Sequence, residues 1–517
     1  MGDAGRVPTG DPRDVTAPLT PSWLRLQEPS GRLALVATVS GSAVVLLNAT
    51  VVNVALPTLG RAFDAEFVQL QWVVNAYLVT LSALLLLGGV LGDRYGRRRV
   101  YVVGLVAYAA TSMLCALAPT LTWLIAARAL QGVAGALVTP GSLAILQASF
   151  VAADRPVAIG RWSAWGGVGA AVGPVLGGWL VDAVGWPAVF WLEVPLALGA
   201  AVLAARTVPE SVDPAARSRP LDLAGALIVT VALAAGSFAL LRAGTVIDGQ
   251  VWLGLVVAVA ALAMLHPVER RAAAPVVPPA LLRRRAFLAA NGVTLVVYAA
   301  LGGVFFLLVI QLQTVLGYDA LAAGAATLPV TALLLVMSGR AGALAQRIGP
   351  RRPLTVGSLV LAVGMLLLGG VQAGDAYLTG VLPAVLVFGA GLGLIVAPVT
   401  AAALAAAPDE QAGVASAVNN AVARTAQLLA VAALPLIAGL SGGAYADPTA
   451  MAAGFPIAMR VTAVLALAGA VVAWTMVRDD ALSAEVAGDA SDLEACVGCP
   501  LDGPPVLRAP TEEQAAG

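Results

Sequence analysis

Fourteen apolar stretches, most of them about 20 residues or longer, follow one another along this chain with little polar sequence between them. They fall at roughly 33–57, 68–92, 98–118, 120–147, 157–181, 187–206, 222–242, 250–268, 287–313, 320–345, 353–372, 377–405, 411–440 and 457–477. A helix of that length spans the hydrocarbon core of a bilayer, and within it every backbone donor finds its acceptor without water. The expected class is therefore an all-α integral membrane protein. Composition agrees: of 517 residues, 60% are hydrophobic and 11% charged, and the 55 glycines suit close helix packing in lipid. No polar stretch between these spans is long enough to fold into a soluble domain.

Charge sets the orientation. The loops after even-numbered spans carry Arg94, Arg97, Arg98 and Arg99; Arg155; Arg217 and Arg219; Arg270, Arg271, Arg283, Arg284 and Arg285; and Arg347, Arg351 and Arg352. The opposite loops hold mostly acids, namely Asp64, Asp182, Asp248, Asp319 and Asp375, with Arg61 the main exception. Arginine collects on the cytoplasmic side, which places both termini in the cytoplasm of a plasma membrane. Residues 1–32 read as a disordered cytoplasmic leader and not a signal peptide, and 479–517 as a disordered tail.

All 29 basic residues are arginine. A phosphate-binding loop needs its lysine, so no nucleotide motor is expected, and lysine Schiff-base chemistry is excluded. A net charge of zero gives no footprint for nucleic acid. Cys496 and Cys499 form one C-x-x-C in the tail, with the single histidine, His266, far away. A zinc site wants four ligands, so no metal and no cofactor is expected.

The chain repeats itself. Gly89-Val-Leu-Gly-Asp93-Arg94-Tyr-Gly96-Arg97-Arg98 follows the second span, and Gly342-Ala-Leu-Ala-Gln346-Arg347-Ile-Gly349-Pro-Arg351-Arg352 follows the tenth. Matching elements in two halves mark a transporter whose bundles rock against each other. This divides the chain into a six-helix bundle at 33–206, an inserted helix pair at 207–282 and a second six-helix bundle at 283–478.

Four motifs resemble the major facilitator superfamily, and within it the fourteen-helix drug–proton antiporters. They are Gly89…Asp93-Arg94-x-Gly96-Arg97-Arg98; Arg128-x-x-Gln131-Gly132; Gly169-x-x-x-Gly173-Pro174-x-x-Gly177-Gly178; and Asn53-Val-Ala-Leu-Pro57. The resemblance implies the major facilitator fold, with two six-helix bundles and two extra central helices. It makes the first motif a conformational gate and gives Arg128, with Gln131, a role in proton transfer or its electrostatic control. The third motif becomes the moving helix contact of an exporter. Blander readings exist for each: a solvated charge cluster, an arginine reaching for the interface, plain packing.

One departure matters. Relatives read Leu-Asp-x-Thr in the first span, and this chain reads Leu47-Asn48-Ala49-Thr50. An amide neither takes up nor releases a proton. Glu193, one turn into the sixth span and close to Pro195, is the candidate replacement, against the reading of a hydrated acid at the outer interface. Asn291, Gln311, Gln313, Asn419, Asn420 and Arg424 either line a pathway in the second half or join helices by hydrogen bonds. The expected function is export of small amphipathic molecules, such as drugs or antibiotics, in exchange for protons. The alternatives are a dedicated exporter of one endogenous metabolite and a transport-dead membrane sensor. All-arginine, alanine-rich usage fits a bacterium with a GC-rich genome.

Overall fold

The computed structural model describes residues 24–151, 154–213, 222–272, 281, 283–407, 412–441 and 446–479. Arg217, Arg219, Cys496 and Cys499 lie outside these residues. Fourteen long helices run through the described part: α1 Pro29–Phe63, α2 Phe67–Tyr95, α3 Arg97–Ala116, α4 Leu121–Ser149, α5 Arg155–Ala183, α6 Pro187–Thr207, α7 Leu223–Ala243, α8 Gly249–Arg271, α9 Arg285–Thr314, α10 Ala320–Ile348, α11 Arg351–Leu368, α12 Tyr377–Ala405, α13 Ala412–Ile437 and α14 Pro448–Met476. Thirteen are long and apolar enough to cross a membrane among the described residues. The other, α5, spans 29 residues, of which Val172–Ala183 counts as its described apolar run. Each helix coincides with one apolar stretch read from the sequence. The fourteenth begins about nine residues earlier than expected, at Pro448, where Asp447 caps the helix by accepting from Thr449 N–H.

The acids of the outer loops have a structural use. Asp248, Asp319 and Asp447 each accept hydrogen bonds from the first free N–H groups of α8, α10 and α14, the helices that enter from that side. A carboxylate there satisfies orphan donors and complements the positive end of the helix dipole. Asp248 also pairs with Arg242, which holds its carboxyl below the usual carboxylate range and closes the α7–α8 turn. Asp222 caps α7 through Gly225 N–H at 2.7 Å.

Packing repeats as the sequence does. In the first six helices α1 packs on α5 and α6, α2 on α4, and α3 on α4 and α6. In the last six, α9 packs on α13 and α14, α10 on α12, and α11 on α12 and α14, the same five pairings. The halves then meet by exchange: α2 lies against α13, and α10 against α5. Helices α7 and α8 pair with each other, and α7 covers the α2–α13 seam.

The structure corrects two expectations about the ends. Leu24 N–H donates to Ser149 O at 2.7 Å, Val151 N–H to Leu24 O, and Leu26 N–H to Asp154 at 2.8 Å, so this part of the supposed leader is pinned to the α4–α5 loop. At the other end Asp479 belongs to the fold, as described below.

Candidate functional site

The first half buries a polar cluster around Glu193 and Arg128, with 0% and 1% of their surfaces exposed. Glu193 on α6 is no hydrated interfacial acid. Its Oε1 accepts from Asn48 Nδ2 of α1 at 2.7 Å, and its Oε2 from Ser112 Oγ of α3 at 2.6 Å and Gln131 Nε2 of α4 at 2.8 Å. Arg128 does not snorkel either. It donates to Val73 O at 3.0 Å, Asn48 Oδ1 at 2.8 Å and Gln131 Oε1 at 2.5 Å, and its guanidinium lies 4.4 Å from the centre of the Tyr77 ring.

Asn48 and Gln131 are therefore two parallel bridges. Each turns its oxygen to the guanidinium and its N–H group to the carboxylate, so the two charges are compensated through oriented amides. Five helices contribute, α1, α2, α3, α4 and α6, with the 128/131 spacing on α4 placing both side chains on one face. Ser112 is the member that sequence reasoning missed, because a lone serine in an apolar span carries no signal. Its hydroxyl also lies 3.0 Å from Phe190 O, so its proton has two places to go.

Of the glycine motif on α5, Gly173 and Gly177 face α1, where an added Cβ would meet Thr50 and Val51. Gly178 faces the other half: a Cβ there would overlap Ala320 O of α10, and a Cβ on Gly324 would overlap Pro174 O. Asp182, one turn further out, accepts from Ala320 and Leu321 N–H at 3.3 and 2.8 Å. Gly173, Pro174, Gly177 and Gly178 thus sit where α5 meets α1 and α10 near the outer end. Gly169 is on the same helix; its surroundings lie outside the described side chains. Two more bonds between halves lie on that side: Gln313 Nε2 to Val54 O at 3.0 Å and Gln71 Nε2 to Val431 O at 2.6 Å.

On the cytoplasmic side Gly96 turns the chain at φ 111°, a conformation that favours glycine, and Asp93 pairs with Arg97 at 2.8 Å. Arg94 lies over the Tyr95 ring. Gly89 packs against Pro140 of α4. The sequence reading missed Glu210, just after α6. Its carboxylate accepts from the Arg98 and Arg99 N–H groups at 3.1 and 3.2 Å, and lies 3.5 Å from Arg98 Nε. The second half copies this. Gly349 turns at φ 83°, and Asp479, just after α14, accepts from Arg351 N–H at 3.3 Å, while the Arg351 guanidinium stacks 4.0 Å above Trp474. An acid directly after the last helix of each half was the available signal.

The polar residues of the second half divide. Asn419 donates to Asn291 Oδ1 and Thr294 Oγ1 at 3.2 and 2.8 Å, and Gln311 reaches Val371 O at 3.2 Å; these, like Gln313, join helices. Asn420 and Arg424 remain partly or fully exposed on one face of α13.

Paired helical repeats that meet by exchange, with a buried charge network in one half, define a secondary-active membrane carrier. The chain belongs to the Major Facilitator Superfamily, which it matches over residues 38–431. It is 33% identical over 392 residues to the multidrug resistance protein Stp of Mycobacterium tuberculosis, covering 75% of this chain and 72% of that one. It is 33% identical over 501 residues to the puromycin resistance protein pur8 of Streptomyces alboniger, covering 92% and 98%. Among solved structures, a peptide transporter POT in complex with sulfate superposes with TM-score 0.64 at 16% identity, over 89% of this chain and 97% of that one, a likeness of fold. The protein is a multi-pass, secondary-active transporter of small molecules, not an enzyme, and the two relatives, Stp and pur8, are bacterial.

Proposed function

We propose that this transporter exports amphipathic drugs or antibiotics in exchange for protons, and that Glu193 is the group that carries the proton. The observation that supports this is the bridge network. Glu193 and Arg128 balance one another across Asn48 and Gln131, so a proton on Glu193 leaves the guanidinium uncompensated in a buried site and favours a different packing of α1, α3, α4 and α6. Ser112 gives the proton room: its O–H can turn to Phe190 O while its oxygen accepts from the protonated acid. Asn48 is then not a lost coupling residue but a bridge to an acid that has moved from α1 to α6.

The remaining motifs fit alternating access. The α5–α10 contact at Gly178 and Gly324 is the outer closure, and the Gly96 and Gly349 turns, held by Glu210 and Asp479, are the inner hinges of two rigid six-helix bundles at 33–206 and 283–478. The drug-resistance names of Stp and pur8 favour export and a drug-like cargo. A dedicated exporter of one self-made antibiotic uses the same machinery.

The test uses inside-out membrane vesicles with an imposed proton gradient and a pH-sensitive dye. Amphipathic drugs should collapse the gradient only when the protein is present. If no compound in a broad panel moves protons, proton antiport is wrong for this chain.

A further inference from the structure

Among the described residues, every aspartate and glutamate except Glu193 lies outside the helices or within three residues of a helix end. Glu193 is itself engaged by three donors and balanced through two amides by Arg128. The interior therefore offers no free carboxylate to a cationic cargo.

It does offer a cation. Arg424 lies twelve residues from the start of α13 and thirteen from its end, the depth at which a charge in lipid is hardest to keep. It is half-buried, and its hydrogen-bond partner is neutral, Gln427 Oε1 at 3.2 Å. The nearest acids along the chain, Asp409 and Glu410, are at least fourteen residues away in sequence, and among the described residues Arg424 forms no ion pair. A charge held at that depth without a counter-ion faces a polar cavity or awaits a partner. Helix α13 packs on both α2 and α9, so Arg424 stands on the helix where the two halves meet. Asn420, exposed, sits one turn nearer the cytoplasm on the same face.

A second observation points to a ligand there. Asn75 of α2 is fully buried, and neither its Nδ2 nor its Oδ1 has a hydrogen-bond partner. It lies one turn inward from Gln71, whose amide reaches Val431 O, so this face of α2 looks at α13. An amide without a partner on α2 and, among the described residues, a guanidinium without a counter-ion on α13 thus stand on two helices that pack together, polar groups in an otherwise apolar seam.

We propose that Arg424, with Asn75, anchors the acidic group of the cargo, so that the transporter selects amphipathic molecules bearing a carboxylate or phenolate. This rests on the export reading for its context, but it is tested by binding alone.

The test is fluorescence anisotropy of the detergent-purified full chain with three dansyl probes of one apolar body: dansylglycine, dansylglycinamide and the cationic N-(2-aminoethyl) dansylamide. The wild type should bind dansylglycine about tenfold or more tightly than the amide, as a charge-assisted contact implies, and the cation most weakly. Arg424→Gln should bring anion and amide within about twofold of each other while leaving the amide's affinity in place, which shows the protein folded; Arg424→Lys should keep the preference. Equal or stronger binding of the cation, an undiminished anion preference in Arg424→Gln, or no saturable binding of any probe overturns the proposal. No proton gradient is involved, so a failure of proton coupling leaves this result standing, and a failure here leaves Glu193 as the coupling acid.

Discussion

Replacing Glu193 by glutamine removes one charge and almost no volume, and the structure says what that costs. Three donors converge on the carboxylate, and a carboxamide has one acceptor oxygen. If its NH2 takes the place of Oε1 it meets Asn48 Nδ2, and Asn48 must turn over. If it takes the place of Oε2, Ser112 can swing its O–H to Phe190 O, but Gln131 must turn over. Either way one amide oxygen leaves Arg128. An unmade buried hydrogen bond costs ~1–3 kcal/mol. Stranding the guanidinium without its counter-charge brings the total to about 3–5 kcal/mol.

Glu193→Gln should therefore lower the unfolding midpoint of the detergent-purified protein and abolish substrate-evoked proton movement in vesicles. The double variant with Arg128→Gln separates charge balance from mere disruption. It removes the stranded cation, so its stability loss should fall short of the sum of the single losses by ~1–3 kcal/mol, while proton movement stays absent. Additive losses would show that the two charges do not compensate one another. Wild-type proton movement in Glu193→Gln would sink the coupling role outright.

Two further outcomes follow from the gate and the outer contact. Glu210→Ala leaves the Arg98 and Arg99 N–H groups at the head of α3 without their carboxylate, which should cost about 1–2 kcal/mol and speed proteolysis near Gly96; unchanged digestion would show that the contact holds nothing. Gly178→Leu places a side chain where Ala320 O already stands, so α5 and α10 should part at the outer end at a cost of ~1–3 kcal/mol, read as a transport rate reduced by on the order of tenfold. A normal rate would mean that this contact is not part of the cycle.

Most of the architecture was legible because lipid leaves a chain few options. All fourteen spans came from apolar length alone, and the repeat around Gly96 and Gly349 anticipated five helix pairings that recur in both halves. The sites were legible in part. Arg128, Gln131, Asn48 and Glu193 were each conspicuous as polar residues in apolar spans, but that two amides bridge two charges depends on α1, α4 and α6 meeting, which no local pattern encodes. Glu210 and Asp479 were read as loop and tail because acids outside a membrane are cheap and carry no signal until a helix end is found beside them. For Asn291, Gln311, Gln313 and Asn419 the sequence left two roles open, lining a pathway or joining helices, since a buried amide looks the same in sequence in either place.

The amide at residue 48 and the arginine at residue 424 then have one common explanation. An exporter of cations works against a membrane potential that is negative inside, and needs protons to offset each charge it expels. An exporter of anions is helped by the same potential, at about 2.3 kcal/mol per charge per 100 mV, so one coupling acid is enough. Among the described residues this chain keeps a single deep carboxylate, has an amide at Asn48 where the family it resembles usually carries a first-span acid, and holds near the middle of α13 a guanidinium whose hydrogen-bond partner is the neutral Gln427. Net charge then moves in every cycle: an anion outward and a proton inward both carry positive charge into the cell. In inside-out vesicles, a lumen-positive potential set by potassium and valinomycin, without any pH difference, should by itself drive uptake of an acidic amphipathic substrate. It should do so in wild type and fail in Arg424→Gln. Uptake of that substrate that ignores the potential would mean that no net charge moves with it, as when the acid crosses in its neutral form, and would leave Arg424 a structural residue.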